Sequence, residues 1–192
     1  MQTKDHKILA VFLADEMEQT IPHCYKKAFI FGNIEPDRNL FTYLHGLAWG
    51  KKFHGHNYEN ILLVMKKLFD SLQRRERFGI REYYRLGKLT HYVADAFTFP
   101  HNSVFHGNIK KHCKYESILH NQLMHSLQKQ KNIGLKRKTV NSFEQIEVLH
   151  KEYLKEAGTC DIDCRYIFQA TNMLQDKSQM VWYADLIQAK EF

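Results

Sequence analysis

Gly87-Lys88-Leu89-Thr90-His91-Tyr92-Val93-Ala94-Asp95-Ala96-Phe97-Thr98-Phe99-Pro100-His101 is the stretch that decides how this chain folds. It closes a run from about Ile80 to Phe97 that reads as one helix. The helix is expected to stop before Pro100, because the residue ahead of a proline is pushed out of the α region. His91 and Asp95 stand four apart, so their side chains share one helix face, about 5–6 Å from each other. Two groups so placed can reach one metal ion. Taken alone, the pair reads more plainly as a hydrogen-bonded couple on a helix.

The next helix repeats the pattern. It is expected over about Ile109 to Gln130, and His112 and Glu116 give a second imidazole–carboxylate pair at the same spacing. Antiparallel neighbours can aim two such pairs at one interior point, as metal sites in bundle cores do. Between the two helices, Pro100 to Asn108 reads as a loop that carries His101.

Helical patterning continues on both sides. Upstream, Asp5 is placed to cap a helix over His6 to Gln19, with Ile8, Leu9, Phe12 and Leu13 on its apolar face. Ile21-Pro22 restarts the chain into a short helix that Gly32 is expected to end. Gly32-Asn33-Ile34-Glu35-Pro36-Asp37 then reads as a turn. Phe41 to Trp49 reads as a short helix and Lys51 to Asn57 as a loop. Glu59 to Arg75 is a longer helix, with Ile61, Leu62, Met65, Leu68, Phe69 and Leu72 recurring at three and four. Downstream, Lys131 to Lys138 is a connection, followed by helices over Ser142 to Ala157 and Asp161 to Ile187. No strand pattern or internal repeat interrupts this series. The expected fold is all-α: one domain over residues 1–192, a multi-helix bundle with a metal cluster between helices.

Composition sets the remaining bounds. A chain of 192 residues with 44% hydrophobic content can bury its own core, which excludes disorder. The formal charge of +7 suits an anionic partner (a phosphate ester, nucleic acid or acidic membrane surface) without choosing among them. No helix-turn-helix or aromatic–basic platform is visible, so no stable nucleic-acid partner is expected. Met1 to Lys7 lacks the basic segment of a secretory signal, and Ile8 to Ala14 runs straight into Asp15, Glu16 and Glu18. No apolar run reaches the roughly 20 residues that span a bilayer. The expected compartment is the cytoplasm, where Cys24, Cys113, Cys160 and Cys164 stay reduced. Cys160 and Cys164 lack a second Cys or His pair nearby and make a weak metal signal.

Histidine and carboxylate together form the donor set suited to Zn²⁺. His91, Asp95, His101, His112 and Glu116 already exceed what one tetrahedral ion needs. Two ions about 3.5–4 Å apart, bridged by a carboxylate and a hydroxide, would use them better.

The order of these pieces resembles the zinc-dependent phospholipases C, whose fold is shared with single-strand-specific nucleases. His91-Tyr92-Val93-Ala94-Asp95 followed by Pro100-His101 is similar to that family's H-Y-x-x-D and P-H segments. His112-Cys113-Lys114-Tyr115-Glu116 is close to H-S-K-Y-E. Gly32 to Asp37 resembles G-x-I-x-P-D, and His56-Asn57-Tyr58-Glu59 resembles H-x-Y-[DE]. The resemblance covers about His6 to Glu116.

It implies that Asp37, His56, His91 and Asp95 hold one zinc, and that His101, His112 and Glu116 hold a second. Asp95 would bridge to a third, held also by His6. Asp37 would be the general base that orients or deprotonates the attacking water. His54 competes with His56, His106 with His101, and His23 with His6; the motif positions favour His56, His101 and His6. Secreted members complete the third zinc with the amine and carbonyl of a residue freed by signal cleavage. Met1, five residues before His6, would offer the counterpart amine if it is unmodified.

The expected activity is hydrolysis of a phosphate ester, of phospholipase C type, by a metal-bound hydroxide within a di- or tri-zinc cluster. A nuclease or a soluble-phosphoester hydrolase would use the same site. A non-catalytic helical protein with a closed structural zinc site is the reading of another class. The candidate ligands outnumber the four that such a site needs. His120, His125 and His150 are expected on solvated or supporting faces, Trp49 and Trp182 in the core. Arg74, Arg75 and Arg77 are expected at an exposed helix end.

Overall fold

From Leu89 to Ala96 every residue of one helix is buried, so the stretch that carries His91 and Asp95 lies at the centre of the molecule. A helix buried on all sides must be surrounded by other elements, and here they are all helices. The computed structural model describes residues 1–17, 21–38, 57–133 and 141–188, with side chains described to residue 131 in the third of these stretches and to residue 174 in the last. Among these residues the chain forms α1 (Thr3–Asp15), α2 (His23–Arg38), α3 (Tyr58–Gln73), α4 (Ile80–Ala96), α5 (Ile109–Ile133), α6 (Glu144–Glu156) and α7 (Cys160–Gln188). A short 3-10 turn, Phe99–His101, joins α4 to α5. No strand occurs among the described residues, as the sequence patterning leads one to expect. The expected helix over 41–49, the loop residues 51–56 with His54 and His56, and His45 lie outside the described residues.

α4 packs most extensively against α2 and also touches α1, α3 and α7. Two glycines allow the α2–α4 crossing to be close. A Cβ on Gly32 would sit 2.1 Å from the Tyr84 carbonyl oxygen, and one on Gly87 would sit 2.1 Å from the Phe29 carbonyl oxygen. Only a residue without a side chain fits either position.

This contact explains one correction to the sequence reading. Gly32 does not end the second helix, and Gly32 to Asp37 is not a turn: α2 runs on through Pro36 to Arg38. Gly32 serves an approach between helices, which local sequence cannot reveal. Pro36 has no N–H to give the Gly32 carbonyl, but it comes within the last turn, where the loss to the helix is small.

A second correction concerns Asp5. It does not cap α1, since Gln2 takes that position and its carbonyl accepts the Asp5 and His6 N–H groups. Asp5 is instead buried inside the first turn, with its Oδ1 2.5 Å from His120 Nδ1. That contact joins α1 to α5 where His6 faces the interior.

The core is aliphatic and aromatic. Leu9 and Leu13 of α1, Phe29 of α2, Met65 of α3 and Leu89 of α4 share it with Leu119, Leu123 and Ile167 from the C-terminal half. Arg74, Arg75 and Arg77 are exposed after α3, as expected. No helix of the described residues is long and apolar enough to cross a membrane.

Candidate metal centre

Five elements deliver the donors to one place. α1 brings His6, the end of α2 brings Asp37, and α4 brings His91 and Asp95. The 3-10 turn brings His101, and the first two turns of α5 bring His112 and Glu116. The order of these elements explains why a scattered set converges. α2 and α4 cross at their glycines, while the turn after α4 sets His101 against Glu116 of α5.

Asp95 sits at the junction, 1% exposed. Its Oδ1 lies 3.0 Å from His6 Nε2 and 2.6 Å from the Met1 amine, while its Oδ2 lies 3.4 Å from His91 Nε2. His91 Nε2 is also 3.6 Å from Asp37 Oδ1. On the far side of that imidazole, Nδ1 donates to the Asn33 carbonyl at 2.8 Å, which leaves Nε2 as the lone-pair nitrogen facing the carboxylates. The His6 and His91 rings stack at 3.8 Å.

A second group lies outward. Glu116 Oε1 is 3.0 Å from His112 Nε2 and 3.3 Å from His101 Nε2. The Met1 amine joins the two groups, 3.0 Å from His101 Nε2 and 3.2 Å from Glu116 Oε1. Of the competing histidines, His23 and His106 are exposed.

Electrostatics at the centre are strong. Burial alone would lower the Met1 amine's pKa, but the Asp95 and Glu116 carboxylates outweigh it and raise it to about 10. Burial would likewise raise Glu116, yet hydrogen bonds from His101 and His112 and the nearby ammonium hold it well below the usual carboxylate range. Burial drives His101 downward, which favours the neutral imidazole that a metal needs. Glu116 therefore stays charged beside neutral His101.

The donor set fits zinc. Ligands about 2.0–2.2 Å from a tetrahedral ion stand about 3.4 Å apart along the tetrahedron's edges. The imidazole–carboxylate separations fall around that figure, from 3.0 to 3.6 Å within each group. Two sets, His6–His91–Asp95 and His101–His112–Glu116, each hold their donor atoms within 4.8 Å of one another. Within the first set Asp95 turns Oδ1 to His6 and Oδ2 to His91, the arrangement a bridging carboxylate needs. Among the described residues His6 Nδ1 is buried with no hydrogen-bond partner, an uncommon state for an imidazole whose other nitrogen faces a carboxylate.

These groups line a cleft of about 1210 Å³, with Asp37, Asp95, His101, His112 and Glu116 on its floor and wall. The cleft has room for an ester far larger than phosphate itself.

Supporting residues that sequence reasoning missed hold the outer group in place. Asp163, fully buried on α7, accepts the Phe99 N–H at 2.9 Å, the Tyr115 hydroxyl at 2.9 Å and the Tyr153 hydroxyl at 2.8 Å. One carboxylate thus ties the turn that carries His101 to the helix that carries His112 and Glu116. Burial raises its pKa to about 6 despite these donors. Asn102 grips the same turn, donating to the Ala96 and Thr98 carbonyls and pairing with His150 Nε2 at 2.8 Å. His150, read from sequence as solvated or supporting, is a buried support, stacked on Tyr58 at 3.6 Å. A signal for Asp163 was available: it falls in register with Ile167, Ala170 and Leu174, all buried on α7. A carboxylate on an apolar stripe must have partners.

The family model described as zinc-dependent phospholipase C matches residues 5–160. No curated protein and no solved structure matches the chain significantly.

Proposed function

This chain belongs to the zinc-dependent phospholipase C family, a family of phosphoric ester hydrolases, and we propose that it cleaves a phosphodiester of phospholipid type in the cleft above Asp95. The observation that carries this reading is the pair of donor groups, His6–His91–Asp95 and His101–His112–Glu116, that meet at one cleft, with the Met1 amine reaching both Asp95 and Glu116. A closed structural site would have neither the surplus of donors nor an open wall.

In this reading two or three zinc ions are held. Asp37, His56, His91 and Asp95 take one, His101, His112 and Glu116 a second, and His6 with Asp95 a third. Zinc supplies an electrophile for the phosphate's non-bridging oxygens and acidifies water to near neutral pH. Asp37 lies on the cleft surface with Oδ1 toward His91, where it can orient the attacking water and take its proton. Asn33 keeps His91 turned the right way, and Asp163 and Asn102 keep His101 facing Glu116. Fixed donors of this kind need no rearrangement as charge develops on the phosphate.

The test is a panel of phosphatidylcholine, single-stranded DNA and p-nitrophenyl phosphate esters with the zinc-loaded protein. Release of phosphocholine from phosphatidylcholine is expected. Cleavage confined to the nucleic acid would make the site a nuclease centre, and no cleavage of any ester would leave the proposal without a reaction.

A further inference from the structure

We propose that the rim formed by Val104, Ile109, Lys111 and Lys114 docks the protein on an anionic phospholipid surface and so presents the cleft to its substrate. The inference rests on the phospholipid reading above. A soluble enzyme that attacks a lipid headgroup must bring its cleft mouth to the plane of the bilayer, so the residues around that mouth should suit an interface.

They do so in two respects. Ile109, the first residue of α5, is 82% exposed, the most exposed large apolar side chain among the described residues, and Val104 is 39% exposed. Ile109 lines the mouth of the cleft between Asn108 and Lys110, and Val104 adjoins Phe105 of the same wall. Isolated exposed apolar groups are ordinary on a protein surface. Two beside a catalytic mouth, on a segment full of cations, form an interfacial pattern: apolar tips to enter the acyl boundary and ammonium groups to meet phosphates.

Charge is the second respect. From residue 96 to residue 115 the chain holds no Asp or Glu, and Lys110, Lys111 and Lys114 are all exposed there. The acids that flank this stretch in sequence, Asp95 and Glu116, point into the donor cluster, where the Met1 amine and imidazoles face them, and Asp163, which bonds Phe99 and Tyr115, is fully buried. Among the described residues no carboxylate forms an ion pair with these lysines, and the rim presents positive charge outward. Lysines near an anionic leaflet each strengthen binding by about fivefold. Ile109 is at the tip of α5 and Lys111 and Lys114 follow on the other side of its axis, and helical side chains lean toward the amino terminus, so an end-on approach of α5 brings Ile109 to the acyl boundary and the ammonium groups to the headgroups.

The experiment is co-sedimentation of the zinc-loaded protein with vesicles of equimolar phosphatidylcholine and phosphatidylglycerol, set against vesicles of phosphatidylcholine alone. Wild type should prefer the anionic vesicles by at least about tenfold. The double change Lys111→Glu/Lys114→Glu should weaken that binding by at least about 25-fold. Ile109→Asp should weaken binding to both vesicle types by about tenfold or more. New acids in the first turns of α5 favour the helix, so the double variant should keep its fold. Its turnover of water-soluble p-nitrophenylphosphorylcholine should stay within about twofold of wild type, because neither lysine lines the cleft. The conservative pair Lys111→Arg/Lys114→Arg should bind as wild type does.

Equal binding by wild type and the Lys→Glu pair, or no preference for the anionic vesicles, overturns the docking surface even if phosphatidylcholine is cleaved. Conversely, intact charge-dependent docking without phosphocholine release refutes the substrate reading and leaves the surface standing.

Discussion

His91 and Asp95 stand on a helix that packing surrounds, whereas His101, His112 and Glu116 stand on a turn and on the first turns of a helix whose outer face meets solvent. His6, His91 and Asp95 are at most 1% exposed; the His112 side chain is 31% exposed. The inner donors are fixed by burial, and their charges are costly to unpair. The outer donors are fixed by tethers to α6 and α7, through Asp163, Asn102 and His150. A site built this way should lose stability when its inner half is altered and metal affinity when its outer half or its tethers are altered.

Asp95→Asn should do the most damage. It removes a carboxylate that meets the buried Met1 amine and His6, and breaking a buried pair from one side costs about 3–5 kcal/mol. Chemical denaturation of the metal-free protein should show this loss, and the purified variant should also lose zinc and hydrolysis together. A variant as stable and as active as wild type would erase the distinction between the halves.

Asp163→Asn tests the tethers. An amide cannot accept from the Phe99 N–H and both tyrosine hydroxyls at once, so a loss of about 2–3 kcal/mol is expected. Zinc titration should then show the outer ion held about 10–100-fold more weakly, with the inner ion unchanged. Equal weakening of both would mean that Asp163 supports the fold in general and not the outer half.

Acid should act on the tethers too. Burial lowers the His150 pKa to about 4, below the roughly 6.5 of an unfolded histidine. A proton therefore binds the unfolded chain more readily, so this stability is whole above about pH 6.5 and is lost as pH falls toward 4. Between pH 7 and pH 5 the loss from this group is about 2 kcal/mol. His150→Gln should flatten that part of the profile in denaturation experiments; an unchanged slope would assign it to other groups.

The smallest expected effect on stability comes from His112→Ala. The side chain is partly exposed and its pairing with Glu116 lies near the surface, so denaturation should shift by less than about 1 kcal/mol. Zinc content should nevertheless fall by about one ion per chain, which separates a ligand from a packing residue.

How much of this was legible follows from the range of each interaction. The pairs His91/Asp95 and His112/Glu116 could be read because helical spacing alone puts their members on one face. The all-helical class could be read from apolar periodicity, as in Ile61, Met65, Phe69 and Leu72, which are buried along α3. Gly32 was misread as a stop because its reason, the Tyr84 carbonyl across the α2–α4 crossing, lies 52 positions away. Asp5 was misread as a cap because local sequence favours that role and its partner His120 is distant. Asp163 was passed over for the same cause: Phe99, Tyr115 and Tyr153 reach it from three other parts of the chain. Residues whose role is set by one helix announce themselves; those whose role is set between helices do not.

The central claim is that two zinc-binding halves, one around Asp95 and His91 and one around Glu116, lie beneath one cleft, and an anomalous difference map at the zinc edge from crystals of the untreated protein tests it most directly. At least two peaks are predicted, one beside Asp95 and His91 and another among His101, His112 and Glu116. A map with no peak there, or with a single ion closed off by four protein ligands, would contradict it.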